Sequence, residues 1–200
     1  KRQRSLPYPV ISIGNITTGG TGKTPLTMAI AEEAKKKGYM PIILTRGYKG
    51  KAKGPCFVLA KSEGKGANFF GRFEISSGFP HSCTSTLESG DEPLLIAERL
   101  RDVPVIKCND RYKGGIFALD TMPIAHDESV IFILDDGFQH YGLFRDVDIV
   151  LIDGMSPFGN NKLLPIGSLR EPLGELRRAD LFVITKKTST SFNNKDEILI

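Results

Sequence analysis

Residues Ile13 to Pro25 read IGNITTGGTGKTP: an apolar run that stops at Gly14, a glycine-rich turn, and Gly22, Lys23 and Thr24 at the start of a helix-forming stretch. That order suits a triphosphate cradle. Backbone N–H groups of Thr17, Thr18, Gly19, Gly20, Thr21 and Gly22 can wrap phosphate oxygens, the Lys23 ammonium can neutralise the outer phosphates, and the Thr24 hydroxyl can ligate Mg²⁺. The strict pattern asks for glycine where this chain has Thr17, but Gly19 and Gly20 still supply the close approach and positive φ that such a loop needs. The alternative is a glycine-rich strand-to-helix turn that holds no ligand.

A second segment, Val130 to His140, reads VIFILDDGFQH, a buried type of strand that delivers two carboxylates at its C-terminal end. In phosphate-loop proteins a second strand carries an aspartate that holds Mg²⁺, and Asp135 is placed for that role. Adjacent carboxylates repel, so without a cation one of Asp135 and Asp136 should hold its proton unusually tightly. Asp-Gly is also a common turn dipeptide, so the pair could be solvated turn residues. Gln139 and His140 follow closely, and His140 could equally be a packed, hydrogen-bonded histidine or a catalytic one.

The elements that must position these residues recur along the chain. Apolar, β-rich runs lie at Val10–Ile13, Pro41–Leu44, Val103–Ile106, Val130–Leu134, Asp148–Ile152 and Asp180–Ile184. Most are continuous rather than alternating, which suits strands covered on both faces. Helical patterns fall between them, from Thr24 to Lys37 with Gly38 as the stop, and from Glu92 to Arg101. Strands alternating with helices predict an α/β fold, a doubly wound, mostly parallel sheet of the P-loop NTPase kind with helices on both faces. In such a sheet ligand groups gather at the C-terminal strand ends, so the glycine loop, Arg46 to Gly50, Asp135-Asp136 and Asp153 should converge on one rim. Residues 1–187 read as one catalytic domain and the polar segment 188–200 as a linker.

Two hundred residues, 40% apolar, suffice for one such domain. The net charge of +4 is modest, yet Arg46, Lys49, Lys51, Lys53, Lys61 and Lys65 against Glu63 concentrate a net +5 in positions 46–65. A basic loop of this kind can attract anionic lipid head groups or a phosphorylated substrate, or simply be solvated. No nucleic-acid-binding motif accompanies it, so nucleic acid is not an expected partner. Cys56, Cys83 and Cys108 are unevenly spaced and lack CxxC or paired-histidine context, so structural zinc and a disulfide framework are not expected. Reduced thiols are the expectation, with Cys56 and Cys108 packing as small apolar groups on strands. No run approaches the ~18 apolar residues of a membrane span, and no secretory signal is present.

The strings GNITTGGTGKTP, LTRGYKG, GDEPLLIA, ILDDGFQHYGLFRDVDIVLIDG and LLPIGSLREPLGELRRAD together resemble the tetraacyldisaccharide 4'-kinase family, the lipid A 4'-kinases. The resemblance covers positions 9–186. It departs in a longer connection from Gly54 to Ser89, in Ser89 where that family more often has valine, and in Asn161 where it often has glycine.

The resemblance implies transfer of the γ-phosphate of ATP, with Mg²⁺, to the 4'-hydroxyl of an acylated glucosamine disaccharide 1-phosphate. It implies two α/β domains, an apolar N-terminal helix resting on the membrane, and a peripheral place on the cytoplasmic face of a Gram-negative-type inner membrane, in contact with an anionic surface. The chain begins KRQR without Met and stops at Ile200, so a longer protein is expected, its second domain absent here.

An unactivated sugar hydroxyl needs a base, and the resemblance points to Asp91 in GDEP, helped by a histidine of the second domain. Asp91 could instead cap the following helix. Lys23 would face the β and γ phosphates, Thr24, Asp135 and Glu92 would surround the metal, and Asp136 would serve the metal and nearby donors. Arg111 in NDR, Gln139, His140, and Arg170 and Glu171 in LREP are candidates for phosphate and sugar contacts; surface salt bridges are the alternative for Arg111, Arg170 and Glu171.

Three other readings are weaker. A partitioning-type ATPase carries a lysine where this chain has Thr18, and a nicotinamide-binding module needs a G-x-G-x-x-G that is missing here. A nucleotide-gated binding module would use Asp91 only as a cap.

Overall fold

The computed structural model describes residues 3–60, 67–69, 73–75 and 81–186. In chain order the elements are β1 (Val10–Asn15), α1 (Lys23–Lys36), β2 (Met40–Thr45), β3 (Cys56–Val58), β4 (Ala67–Phe69), β5 (Phe73–Ile75) and β6 (Ser82–Cys83). There follow α2 (Thr86–Ser89), α3 (Asp91–Arg99), β7 (Val105–Lys107), α4 (Arg111–Thr121), β8 (Val130–Asp135), β9 (Val147–Asp153), a 3-10 helix at Leu173–Arg178, and β10 (Leu181–Thr185).

Eight strands form one sheet in the order β10-β9-β1-β8-β2-β7-β3-β6, while β4 and β5 pair separately. Every pairing in the large sheet is parallel except β3 with β7. The predicted doubly wound sheet is therefore present, with an antiparallel step and a short strand added at one edge. Because β1 lies between β8 and β9 while the chain leaves it for β2, the glycine loop emerges at the point where strand order reverses. A crevice opens there at the C-terminal strand ends.

The continuous apolar runs reflect coverage on both faces. Ile42, Leu44, Phe132 and Leu134 pack on one face with Ala118 of α4. Ile43 and Ile133 pack on the other with Ala31 of α1 and Ile96 and Ala97 of α3. A third cluster joins Ile16, Phe138, Val150 and Leu169 beneath the 3-10 helix. No helix among the described residues is long and apolar enough to cross a membrane.

The cysteine expectation is corrected. Cys56 and Cys83 form a disulfide, their Cα atoms 6.1 Å apart across a sequence separation of 27. Parallel pairing of β3 with β6 brings them together, a juxtaposition that spacing does not reveal. Cys108 is free and buried, just after β7. Of the basic stretch, Lys61, Glu63 and Lys65 lie outside the described residues, as does the segment 188–200 expected to be a linker.

The loop after β2 is seated on the elbow between α2 and α3. Lys51 N–H donates to Leu87 O at 2.8 Å and Ala52 N–H to Glu88 O at 3.1 Å. Gly90 takes φ 94, and a Cβ there would lie 2.6 Å from Tyr48 O. Only glycine lets the two backbones close up, and this contact sets where Asp91 begins α3. Gly90→Ala should therefore cost about 2–4 kcal/mol, the sum of a disfavoured φ and an overpacked contact; chemical denaturation measures it, and an unchanged midpoint would show that the elbow is compliant.

Candidate active site

Helix α1 begins on Gly22 at φ 89 with no side-chain cap and no acidic residue in its first turn. Its first N–H groups are thus left for an anion, and the helix dipole points the same way. The positive φ values of the loop fall on Gly19 and Gly22 and not on Gly20. Thr17 is tolerated in place of glycine because its backbone pairs with Leu169, while Thr18 N–H donates to Ser168 O at 2.7 Å. A strand-like segment thus braces the entry to the loop.

Residues Gly19 to Thr24 line a cavity of about 1070 Å³ that also takes in Arg46 to Lys49, Asp91, Glu92, Arg111, Asp135, Asp136, Gln139, His140 and Arg170. That is the upper range of ligand pockets. Nearly all the residues singled out from sequence thus share one opening. Thr17, Thr18 and Glu171 do not line it. Asp153 does not either; its carboxylate pairs with Lys186 at 2.6 Å.

Asp135 and Asp136 are adjacent but have opposite surroundings. Asp135 is 2% exposed, and its carboxylate accepts from Thr27 Oγ1 and Thr45 Oγ1, each at 3.3 Å. Burial, then the charges of Glu92 and Asp136, push it up to about 6. The unusually tight proton expected from repulsion within the pair is present, but burial is its first cause and Asp136 ranks behind Glu92. Asp136 takes φ 52, which turns its side chain toward the cations. Arg170 Nη1 donates to both its oxygens at 2.9 Å, and Lys23 Nζ stands 3.6 Å away.

Lys23 is steered further by Asn15, whose Oδ1 accepts from Nζ at 3.1 Å. Asn15 is fully buried, and its backbone oxygen accepts from Gln139 Nε2 at 2.9 Å. Asn15, Thr27 and Thr45 were missed as site residues. The only sequence signal was a polar side chain inside, or one turn past, an otherwise apolar or phosphate-loop segment.

The surface salt-bridge alternative does not describe Arg111. It is buried at the start of α4, donates to Asn109 O at 3.0 Å, and leaves Nε without a partner among the described residues. Burial, and next the charge of Arg46, lowers it to about 10, so it stays cationic at neutral pH. A buried cation facing a cavity suits an anionic ligand. His140 is lowered to about 4 by burial and then by Arg111, so it is neutral near pH 7 and adds no charge to the site.

Glu171 is also buried, not on the surface, but it serves the wall behind the site. It accepts from Tyr141 Oη at 2.8 Å and pairs with Arg178, whose guanidinium lies over the rings of Phe138 and Tyr141. Asp91 is the first residue of α3 with no side-chain capping bond; the cap position is Gly90.

No three His, Cys, Asp or Glu side chains among the described residues cluster tightly enough to hold a metal by themselves. The donors present still fit Mg²⁺, which keeps water and phosphate oxygens as most of its ligands and needs one or two protein groups. Thr24 and Asp135 offer a hydroxyl and a carboxylate, and Glu92 is close enough to raise Asp135.

The folded protein binds the Asp135 proton more tightly than the unfolded chain does, whose pKa is near the ordinary 3.8. Its contribution is thus complete below about pH 4 and is lost as pH rises through about 6. In protein free of nucleotide and divalent cation, Asp135 should withdraw about 2–3 kcal/mol of stability over that window, and Asp135→Asn should flatten that part of the profile. Equal pH slopes for the two proteins in denaturant titrations would show that the carboxylate is not destabilised.

A model of the tetraacyldisaccharide-1-P 4'-kinase family matches residues 1–199. The chain is 44% identical over 185 residues to the tetraacyldisaccharide 4'-kinase of Syntrophus aciditrophicus, covering 92% of this chain and 44% of that protein. It is 43% identical over 182 residues to that of Aquifex aeolicus, covering 91% of this chain and 49% of the other. The crystal structure of the "apo" form of LpxK from Aquifex aeolicus in complex with ATP superposes with a TM-score of 0.75 at 40% identity, covering 97% of this chain and 53% of that one. The chain spans about half the length of the curated relatives it matches. The family model spans nearly the whole chain and the relatives exceed 40% identity over more than nine-tenths of it, so the chain belongs to the tetraacyldisaccharide 4'-kinase family.

Proposed function

We propose that this chain is the nucleotide-binding part of an ATP-dependent kinase that transfers the γ-phosphate to the 4'-hydroxyl of a tetraacyldisaccharide 1-phosphate, giving lipid IVA. The observation that carries the reading is the meeting of the glycine loop, Asp91 and the Asp135-Asp136 pair in one cavity. In-line phosphoryl transfer needs groups that position two oxygens, neutralise charge and accept a proton, and each has a candidate here.

In this reading Lys23 and the α1 N–H groups hold the outer phosphates, and Arg111 and Arg170 add charge where negative charge grows. Asp136 orients Lys23 and Arg170, since it contacts both. Gln139 and His140 line the acceptor side as neutral hydrogen-bonding groups. Mg²⁺ would be held by Thr24 and Asp135 with Glu92 nearby, and it would neutralise phosphate charge. Asp91 accepts the proton of the attacking hydroxyl. Residues 1–187 form the catalytic domain, and 188–200 lead toward a second domain that supplies a histidine to Asp91.

We further infer a peripheral place at the cytoplasmic face of an inner membrane. The exposed Arg46, Lys49, Lys51 and Lys53 would meet its anionic head groups.

The test is to incubate the full-length protein with Mg-ATP and a tetraacyldisaccharide 1-phosphate. The expected product is heavier by one phosphate, whereas free phosphate alone would indicate an ATPase. Asp91→Asn should lower turnover by roughly 10²–10⁴-fold while ATP affinity and melting temperature hold. Ordinary turnover in that variant would leave Asp91 a purely structural residue.

A further inference from the structure

A buried cation beneath the loop after β2 takes no part in the chemistry proposed above. Lys107, the last residue of β7, is 2% exposed, and its ammonium donates to Ala52 O in that loop. Among the described residues no carboxylate pairs with it, and burial holds it below the ordinary lysine value. Taking an ammonium out of water costs more than one bond to a carbonyl returns. The other residues of β7, Val105 and Ile106, are fully buried and apolar, so an apolar residue at 107 would continue the strand without that cost.

What the lysine does in that place is fix the loop. Its stem lies under Gly47, where a Cβ would fall 2.4 Å from Lys107 Cγ and 2.4 Å from Ser89 O. Gly47 takes φ 66, and only a glycine there lets the loop run between the lysine stem and the α2–α3 elbow. Strand pairing sets Lys107 opposite Thr45, where the loop leaves β2, and the ammonium reaches Ala52, where the loop has crossed the elbow. One side chain therefore ties both ends. Between them Arg46, Tyr48 and Lys49 line the cavity, while Lys107 itself does not.

The loop needs such a tie because charge opposes its position. Arg46 stands near enough to Arg111 to lower it, and two cations at that separation push the exposed one toward solvent. We propose that Lys107 is a positioning residue of the kinase: it touches no substrate and holds Arg46, Tyr48 and Lys49 against the cavity from below. The loop's bonds to Leu87 O and Glu88 O then carry the same constraint into the elbow that starts α3 at Asp91. The role rests on the kinase activity proposed above; the anchoring of the loop does not.

In the full-length protein, Lys107→Met keeps most of the stem and removes the ammonium. Its denaturation midpoint should be equal or higher, because a desolvated cation has gone. Amide exchange at Lys51 and Ala52 should nevertheless quicken roughly tenfold, a local loosening without global loss. ATP affinity should hold, while kcat/KM for tetraacyldisaccharide 1-phosphate drops roughly tenfold or more, mainly through the KM of that acceptor. Lys107→Gln, which keeps a neutral donor on a shorter stem, should fall between the parent and Lys107→Met in both exchange and KM. Lys107→Met combined with Arg46→Ala should lose little more than Arg46→Ala alone, since the first acts through the second.

A lowered midpoint in both position-107 variants, with ordinary kinetic constants for the folded fraction, would make Lys107 a purely structural residue. Unchanged exchange at Lys51 and Ala52 would show that the loop holds without it. Additive losses in the double variant would place its effect elsewhere than on Arg46. Absence of phosphate transfer by the parent protein would overturn the kinase activity and this role with it, whereas quickened exchange in Lys107→Met would still establish the anchoring.

Discussion

A carboxylate kept out of water is the constraint around which this site is arranged. Asp135 ends a central strand of a parallel sheet, where burial and neighbouring negative charge both favour its neutral form. Two threonine hydroxyls, from α1 and β2, are the partial compensation. They do not remove the cost, and the group is left favouring either a proton or a cation. Its position at the strand-order reversal puts that preference beside the helix N-terminus that favours phosphate.

Asp136 resolves the repulsion in another way. The left-handed turn at this residue directs its carboxylate away from the sheet, toward Arg170 and Lys23. Neighbours in sequence thus become a buried acceptor and a half-exposed organiser of cations. Asn15 completes the arrangement, since its side chain holds Lys23 and its backbone holds Gln139. The phosphate loop and the segment after β8 are coupled through one buried amide residue.

The surroundings of the cavity follow the same division of labour. Its floor is a sheet packed on both faces, while its rim is made of bonded loops: the β2 loop on the α2–α3 elbow and the turn at 159–169 that braces Thr17 and Thr18. Rigid loops can present exposed aliphatic and cationic groups without losing their shape.

The sheet was legible in the amino-acid sequence because continuous apolar runs are a local property. All six anticipated strands appear within two residues of their expected ends or starts, and both anticipated helices begin one residue early. The phosphate loop and paired carboxylates were legible for the same reason, since glycine spacing and a strand-end dipeptide need no knowledge of distant partners. Helix α4 was not. Its Gly114-Gly115 pair reads as a breaker, yet these glycines let the helix approach Cys108 and Leu6 closely. Likewise only the fold decided that Cys56 meets Cys83, that Glu171 turns to Tyr141 and Arg178 rather than the cavity, and that Arg111 is buried facing it. Each depends on contacts between residues far apart along the chain, set by strand order and by which backbones can close on each other, and no local pattern encodes that geometry.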